Sequence, residues 1–146
     1  MVETNNLIKF PKDIVEFLLE PNFMILSEHN PDGTIHSTVV WYEFDPKSGD
    51  FRISITEERV KYKNILQDSR VTFLIPDTSN MYRYVQIQGE FANITKENAY
   101  DFLDSESKRY LNKATYPHEP NRDKPRIVVT LKSKSFFSIG FESSRK

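Results

Sequence analysis

Three cations at alternate positions stand where an apolar stretch gives way to a predicted helix. In "ITEERVKYKNI", residues 55 to 65, these cations are Arg59, Lys61 and Lys63. Because the helix dipole is positive at its amino end, cations normally belong in the last turn of a helix. Arg59 and Lys61 fall near the start, where a bound anion would reverse that cost. The pattern therefore indicates a phosphate site, and the alternative is a solvated helix start.

Two neighbouring stretches could complete a ligand site around such a phosphate. Residues 51 to 56, "FRISIT", alternate between apolar and polar side chains, so Ser54 and Thr56 could continue the hydrogen bonding from strand to ligand. In "NMYRYVQIQGEF", Tyr82 and Tyr84 leave the same face of a predicted strand. These two rings either pack in the core or at its rim, or form a wall for a flat, conjugated ligand. A phosphate cradle with an aromatic wall describes a site for a nucleotide-like cofactor.

Composition excludes several classes of protein. The chain has 146 residues, enough for one domain, and its 20 Lys and Arg against 21 Asp and Glu argue against a general nucleic-acid binder. Cysteine is absent, which excludes disulfides, thiolate metal sites and cysteine nucleophiles. No apolar run reaches the roughly 18 residues of a membrane span. The amino terminus, "MVETNNLIKFPKDIVEF", carries charge too early for a secretory signal, so we expect a cytoplasmic protein.

The sequence gives little support to hydrolytic or metal-dependent chemistry. His29, His36 and His118 are the only histidines, and no second histidine stands at ligand spacing from "PHEP". There is no GxSxG motif, and the four glycines are too scattered to form a phosphate-binding loop. We therefore predict no metal site and no serine hydrolase.

The elements that must position these residues are mainly strands. Helical spacing predicts short helices over 11–20, 58–67 and 96–110, the last capped by Thr95. Alternating apolar residues predict three consecutive hairpin-linked strands between 23 and 56, then strands over 70–76 and 82–95, with Gly89 as a bulge. One or two strands after residue 125 follow a proline-rich loop. Six or seven antiparallel strands on one small chain predict a closed or nearly closed β-barrel, because closure removes exposed edges.

The stretch "TIHSTVVWYEFDPKSGDFRISITEERVKYKNILQDSRVTFLI" resembles the flavin-binding split-barrel family named after pyridoxamine 5′-phosphate oxidase. It is most similar to the small single-domain branch of flavin- or deazaflavin-dependent oxidoreductases. The order "STVVWY", "FRISIT", "ERVKYKNI" and "DSRVTFLI" carries the likeness, which covers roughly residues 13–141 of a single domain spanning 1–146. The resemblance implies a mainly β fold, a six- to seven-stranded antiparallel split β-barrel of the FMN-binding type with short helices.

The resemblance also implies a role for particular positions. Residues bordering the flavin ring would be Ser37, Thr38, Val39 and Val40. Residues lining the ribityl chain and phosphate would be Ser54, Ile55 and Thr56. Arg59 and Lys61 would pair with the phosphate, and Lys63 would assist or only lie nearby. Family members are usually homodimers with cofactor sites at the interface, so Tyr82 and Tyr84 would approach the cofactor from the partner subunit.

The activity implied is an FMN-dependent oxidoreductase, which needs no side-chain nucleophile. A deazaflavin (factor 420)-dependent reductase is the alternative, and its anionic tail would call for further basic residues such as Lys63, Arg83 and Arg122. A non-enzymatic flavin, deazaflavin or haem binder is a further alternative. Tyr84 stands where the oxidase has a glutamine facing the flavin. The carboxyl-terminal "SIGFESSRK" replaces a longer segment that grips pyridoxal phosphate, so we do not expect vitamin B6 oxidation.

Overall fold

The amino-terminal helix shows how short apolar stripes anchor this fold. In the computed structural model, which describes residues 8–145, Pro11 precedes a seven-residue helix whose Ile14, Phe17 and Leu18 are buried. Pro11 suits this place because its missing N–H would have no partner there. The predicted single domain spans 1–146. The first seven residues and Lys146 lie outside the described part. The expected lack of a secretory signal rests partly on those first residues, so it also lies outside the described part.

Residues 8–145 form seven strands and three α-helices. In order they are α1 (Lys12–Leu18), β1 (Met24–His29), β2 (Ile35–Val40), β3 (Glu43–Phe44), β4 (Phe51–Thr56), α2 (Val60–Gln67), β5 (Arg70–Pro76), β6 (Tyr84–Thr95), α3 (Ala99–Leu111) and β7 (Arg126–Ile139). A single turn of 3₁₀ helix, Glu142–Ser144, comes after β7. In the described part of the chain, no helix is both long enough and apolar enough to cross a bilayer.

The seven strands form one antiparallel sheet in the order β2-β1-β5-β6-β7-β4-β3. The sheet curls around one main apolar core, and a smaller apolar cluster lies where α3 packs on β7. This confirms the predicted mainly β split barrel. Core side chains come from every strand except β2, and Phe51, Ile53, Phe73 and Ile87 among them are fully buried. Burying such side chains stabilises the fold by about 1.5–3 kcal/mol each.

The predicted meander of three consecutive strands is wrong. β1 pairs with β2, but β4 pairs with β7 and, over two residues, with β3 at the opposite end of the sheet. The chain leaves the sheet at Trp41 and Tyr42 and crosses from one edge to the other. Tyr42 fixes this crossing because its buried hydroxyl donates to the carbonyl of Leu18 at 2.8 Å. The alternation of side chains in the sequence continues through the crossing, so the sequence pattern resembles that of one unbroken strand.

This topology leaves a gap between two strand edges. Among the residues that the structure describes, β2 pairs only with β1, and β3 covers β4 only at Phe51 and Arg52. The rest of β4, from Ile53 to Thr56, has a paired strand on one side alone within the described residues. The barrel is therefore split between β2 and β4, which places the predicted site residues of both strands beside one opening.

Two local predictions have opposite outcomes. The register of β6 against β7 shifts between Gln88 and Gly89, which confirms the predicted bulge. A Cβ at Gly89 would lie 2.5 Å from the carbonyl oxygen of Lys132, so no larger residue fits there. The predicted cap at Thr95 is wrong, because Thr95 ends β6 and the residue preceding α3 is Asn98. Asn98 has φ +59°, a left-handed conformation that asparagine tolerates better than most residues.

Candidate functional site

A cavity of about 500 Å³ opens between β2 and β4. The start of α2 lies on one side of it, and α3 with the loop that follows lies on the other. Eight of the residues predicted from sequence line this cavity: Thr38, Val39, Val40, Ser54, Ile55, Thr56, Arg59 and Lys61. Two separate stretches, predicted to serve one ligand, thus meet across the split of the barrel.

The other four predicted residues do not line the cavity. Ser37 points to the outer face of the sheet, where its hydroxyl lies 2.7 Å from that of Ser27. Lys63 is exposed on α2. Tyr82 is 85% exposed in the turn before β6, and the ring of Tyr84 lies 6.4 Å from that of Phe137 on the outer face. Within one chain, the aromatic wall predicted from these tyrosines is therefore absent from the cavity.

The cations at the start of α2 have no carboxylate partner in the described part of the chain. The neighbouring acids turn away, since Glu57 pairs with Lys96 at 3.4 Å and Glu58 with Lys124 at 3.5 Å. Lys61 is only 8% exposed, and its ammonium group makes no ion pair or hydrogen bond with residues 8–145. Burial and the nearby Arg59 lower the pKa of Lys61, while Glu28 opposes this change. An anion in the cavity would compensate both charges.

Two buried hydroxyl groups beside these cations also lack partners. Thr38 Oγ1 and Thr56 Oγ1 make no hydrogen bond within the described residues. A buried hydroxyl without a partner costs about 1–3 kcal/mol, so such groups are normally satisfied. Together with Arg59 and Lys61 they form what we call the phosphate end of the cavity. The residues present fit the phosphate and ribityl oxygens of a flavin-type cofactor, and the volume falls within the range of small-molecule sites.

Sequence reasoning missed five further residues that line the cavity. These are Trp41, Leu103, Glu106, Tyr116 and Arg126, which we call the acid end. The two ends are continuous, because Arg126 is the cross-strand neighbour of Thr56 and donates to Ser54 Oγ at 3.0 Å. Glu106 carried a signal, because it continues the apolar stripe of α3 through Ala99, Phe102 and Leu103. A carboxyl group in a buried stripe is a candidate functional group. Leu103 belongs to the same stripe. Trp41, Tyr116 and Arg126 come from a strand crossing, a loop and a strand start, where no local pattern indicates the site.

Aromatic rings form a wall at the acid end. Trp41 stacks on Tyr110 with ring centroids 4.9 Å apart and planes 7° from parallel. Tyr116 meets Trp41 edge-on at 6.0 Å. The hydroxyl of Tyr110 donates to the backbone carbonyl of Asn22, so the stack is attached to the segment between α1 and β1. Trp41 and Tyr116 line the cavity, so its aromatic side chains are residues other than the predicted tyrosines.

Glu106 is the least compensated carboxyl group of the site. It is 2% exposed, it makes no hydrogen bond or ion pair with residues 8–145, and its Oε2 is fully buried. Burial raises the pKa of Glu106 to about 8, although nearby arginines oppose the shift. The raised pKa favours the protonated carboxyl at pH 7, and a protonated carboxyl can donate a hydrogen bond.

The sequence matches a model of one protein family over most of its length. Residues 10–139 match the model described as pyridoxamine 5′-phosphate oxidase, which confirms the resemblance seen in the sequence. No functionally curated protein matches the chain.

Solved structures with the same fold include proteins of several descriptions. A structure described as an F420 reductase has 26% sequence identity and a TM-score of 0.76, covering 87% of this chain and 98% of its own. A conserved hypothetical protein from Mycobacterium tuberculosis has 21% identity and a TM-score of 0.69, with 95% and 89% covered. General stress protein 26 from Bacillus anthracis has 14% identity and a TM-score of 0.62, with 88% and 92% covered. The last two likenesses show the fold alone.

Proposed function

Because the chain belongs to the pyridoxamine 5′-phosphate oxidase family, we propose that it is an oxidoreductase that works through a flavin-type cofactor bound in the cavity between β2 and β4. One observation carries the proposal. Lys61 is a buried ammonium group beside Arg59, with no carboxylate partner among the described residues and two unsatisfied threonine hydroxyls in the same cavity. Such an arrangement favours a bound phosphate, because the anion would compensate positive charges that have no partner in the empty cavity.

The residues of the chain then have distinct tasks. Arg59 and Lys61 hold the phosphate, and the hydroxyls of Thr38 and Thr56 bond the ribityl or phosphate oxygens. Backbone N–H groups around Val39 and Val40, on the unpaired edge of β2, donate to the ring. The cofactor supplies hydride or electron transfer, and the protein supplies binding, orientation and exclusion of water.

FMN is the first candidate for this cofactor. Two of the three basic residues expected to hold the longer tail of a deazaflavin are already paired with carboxylates. Arg83 donates to Asp77 at 3.0 Å and Arg122 to Asp104 at 2.6 Å. The deazaflavin F420 is the second candidate, favoured by the likeness to a structure described as an F420 reductase.

A fluorescence titration of the cofactor-free chain tests the proposal and chooses between the cofactors. We expect saturable binding of FMN, with riboflavin, which lacks the phosphate, binding at least about tenfold more weakly because the charge-assisted bonds are lost. Stronger binding of F420 than of FMN would instead support the second candidate. Binding of neither, or equal binding of FMN and riboflavin, would contradict the proposal.

The outer face of the sheet supports a homodimer as the working form. Val39, Phe137 and Ile139 on this face are 64%, 54% and 40% exposed, and the backbone of Tyr82 lies against Gly140, which follows Ile139. Val39 and Phe137 belong to one row of residues that runs across β2, β1, β5, β6 and β7. This apolar face begins at the cavity edge, so a second copy packed on it would bring Tyr82 and Tyr84 near its partner's cofactor.

Replacing Phe137 by aspartate is expected to dissociate this dimer, because a charge would be buried at its centre. Analytical ultracentrifugation of the wild type should give twice the mass of the chain, and the variant should give a single chain. Leu66→Asp is the matched control, since Leu66 is 57% exposed on α2 away from this face. A monomeric wild type, or dissociation by both changes alike, would count against the dimer.

A further inference from the structure

One wall of the cavity belongs to a segment that is nearly separate from the rest of the fold. Residues 98–122 comprise α3 and most of the loop after it, and we call them the α3 segment. Leu103, Glu106 and Tyr116 of this segment line the cavity, whereas the other lining residues come from β2, the strand crossing, β4, the start of α2 and β7. A ligand in the cavity would therefore lie between the α3 segment and the barrel.

The α3 segment is held together by its own polar contacts. The carboxylate of Asp104 accepts hydrogen bonds from the backbone N–H of Tyr116 at 2.9 Å and from Arg122 at 2.6 Å. The hydroxyl of Ser107 donates to the carbonyl of Thr115 at 3.3 Å. These bonds join the loop to α3 at two places, so the helix and the loop can move as one body.

The attachment of the α3 segment to the barrel is mainly polar. In the described part of the chain, the buried apolar cluster that the two share consists of Ala99, Phe102 and Val128. Further attachments are hydrogen bonds, an ion pair and a ring stack: Arg109 to the carbonyls of Tyr42 and Leu19, Tyr110 to the carbonyl of Asn22, Arg126 to Glu119, and Tyr110 on Trp41. Water replaces polar contacts when they open, so the α3 segment should detach more easily than a part of the main core.

Two buried polar groups without partners lie where the α3 segment meets the barrel. Glu106 is 2% exposed, and its Oε2 makes no hydrogen bond within residues 8–145. The Nε of Arg126, on β7, is also buried and has no partner in the described chain. These groups destabilise the closed arrangement, because water would bond both of them once the segment moved away. The empty protein therefore holds the α3 segment weakly.

The backbone indicates where the segment can pivot. Among the residues that the structure describes, the non-glycine residues with positive φ are Asn98, Asn112 and Arg122, at +59°, +58° and +53°. Asn98 and Arg122 stand at the two ends of the α3 segment. Residues other than glycine are strained in this left-handed region, and such strain occurs preferentially at ligand clamps and switch regions.

We propose that the α3 segment is a lid, which swings away from the barrel about Asn98 and Arg122 to admit the cofactor and then closes on it. The inference rests on the proposed function only for the identity of the ligand, because opening and closing are properties of the chain itself. Closure over a ligand excludes water from the cavity and delays release. The lid thus sets the rates at which the cofactor enters and leaves.

Trp41 reports the position of the α3 segment without any ligand. It is the single tryptophan of the chain, and its ring centroid lies 4.9 Å from that of Tyr110 and 6.0 Å from that of Tyr116. Opening exposes the indole, so acrylamide should quench its fluorescence in the free protein. Glu106→Leu replaces an unpartnered carboxyl by an apolar side chain and should hold the segment closed, lowering the quenching constant at least about twofold. Asp101→Asn, at an exposed position of α3, should be quenched like the wild type.

A covalent link tests the movement directly. Because the chain has no cysteine, Leu19→Cys combined with Arg109→Cys provides the only two thiols. Both positions are exposed, and the guanidinium of Arg109 reaches the carbonyl of Leu19 at 3.2 Å, so a short bismaleimide should span them. The control is the same variant capped with N-ethylmaleimide. Relative to this control, the linked protein should show at least about twofold less quenching of Trp41 and at least about tenfold slower association with FMN in stopped flow.

Unchanged quenching of Trp41 in the linked protein, or association with FMN at the same rate as in the control, would overturn the inference. Faster association with FMN in Glu106→Leu than in the wild type would also overturn it. If no form of the protein binds FMN or F420, the proposed function fails instead. The quenching of Trp41 in the free protein still decides in that case whether the α3 segment opens.

Discussion

Replacing Lys61 by alanine is expected to weaken binding of the phosphorylated cofactor by roughly 10- to 150-fold. A charge-assisted hydrogen bond contributes about 1.5–3 kcal/mol, and each 1.4 kcal/mol is a factor of ten in affinity. Lys61 is 8% exposed, so solvent competes little with the phosphate for its ammonium group. The measurement is a fluorescence titration of the variant and the wild type with FMN, or with F420 if that proves to be the ligand.

The variant Lys61→Met distinguishes an effect on phosphate binding from an effect on folding stability. Burial and Arg59 both lower the pKa of Lys61, so its charge is unfavourable in the protein without a ligand. Methionine keeps most of the packing and removes this charge, so the cofactor-free variant should unfold at the same or a higher denaturant concentration than the wild type. Lys63→Ala is the matched control, since Lys63 is exposed on the same helix. Equal losses of affinity at positions 61 and 63 would indicate only a general effect of charge.

Replacing Glu106 by glutamine is expected to stabilise the fold increasingly as the pH rises from about 4.5 to 8. The pKa of Glu106 is raised from 4.5 to about 8 by burial. Below pH 4.5 the carboxyl is protonated in both the folded and the unfolded chain, so it contributes nothing to the pH dependence of stability. Between the two values the unfolded chain releases a proton that the folded chain keeps. The free energy of unfolding of the wild type then falls by about 1.4 kcal/mol per pH unit. The variant shows no such fall, because glutamine does not titrate.

The measurement is the free energy of unfolding in urea at several pH values. The difference between Glu106→Gln and the wild type should grow by up to about 4 kcal/mol across this window and level off above it. Asp101→Asn, at an exposed position of the same helix, should show no such trend. A difference independent of pH would mean that Glu106 ionises normally in the folded protein.

Most of the strands and part of the cavity lining were predictable because their signals are local. Alternation of apolar residues indicated the strand segments, and the spacing of Arg59 and Lys61 predicted that both would face one ligand site; both line the cavity, and the bound anion stays a prediction. The pairing of β4 was not predictable from its own sequence. It depends on Tyr42, whose hydrogen bond to Leu18 is a contact between distant parts of the chain.

The acid end shows the same limit more clearly. Glu106 and Arg126 lie far apart in the sequence, and neither belongs to a recognisable motif. The raised pKa of Glu106 comes from the packing of α3 onto β4 and β7, which the sequence does not specify locally. The helix stripe could have marked Glu106 as unusual, but not which cavity it would face.

The split between β2 and β4 has a consequence for how such a protein can change over evolutionary time. In a closed barrel, the number and stagger of the strands fix the diameter, so a wider interior requires a new hydrogen-bonding pattern. Here the distance between the facing edges is set by the crossing at Trp41 and Tyr42 and by side chains. Substitutions there could admit larger or smaller molecules while every strand pairing is preserved. One scaffold can thereby acquire new specificities through single, structurally inexpensive steps.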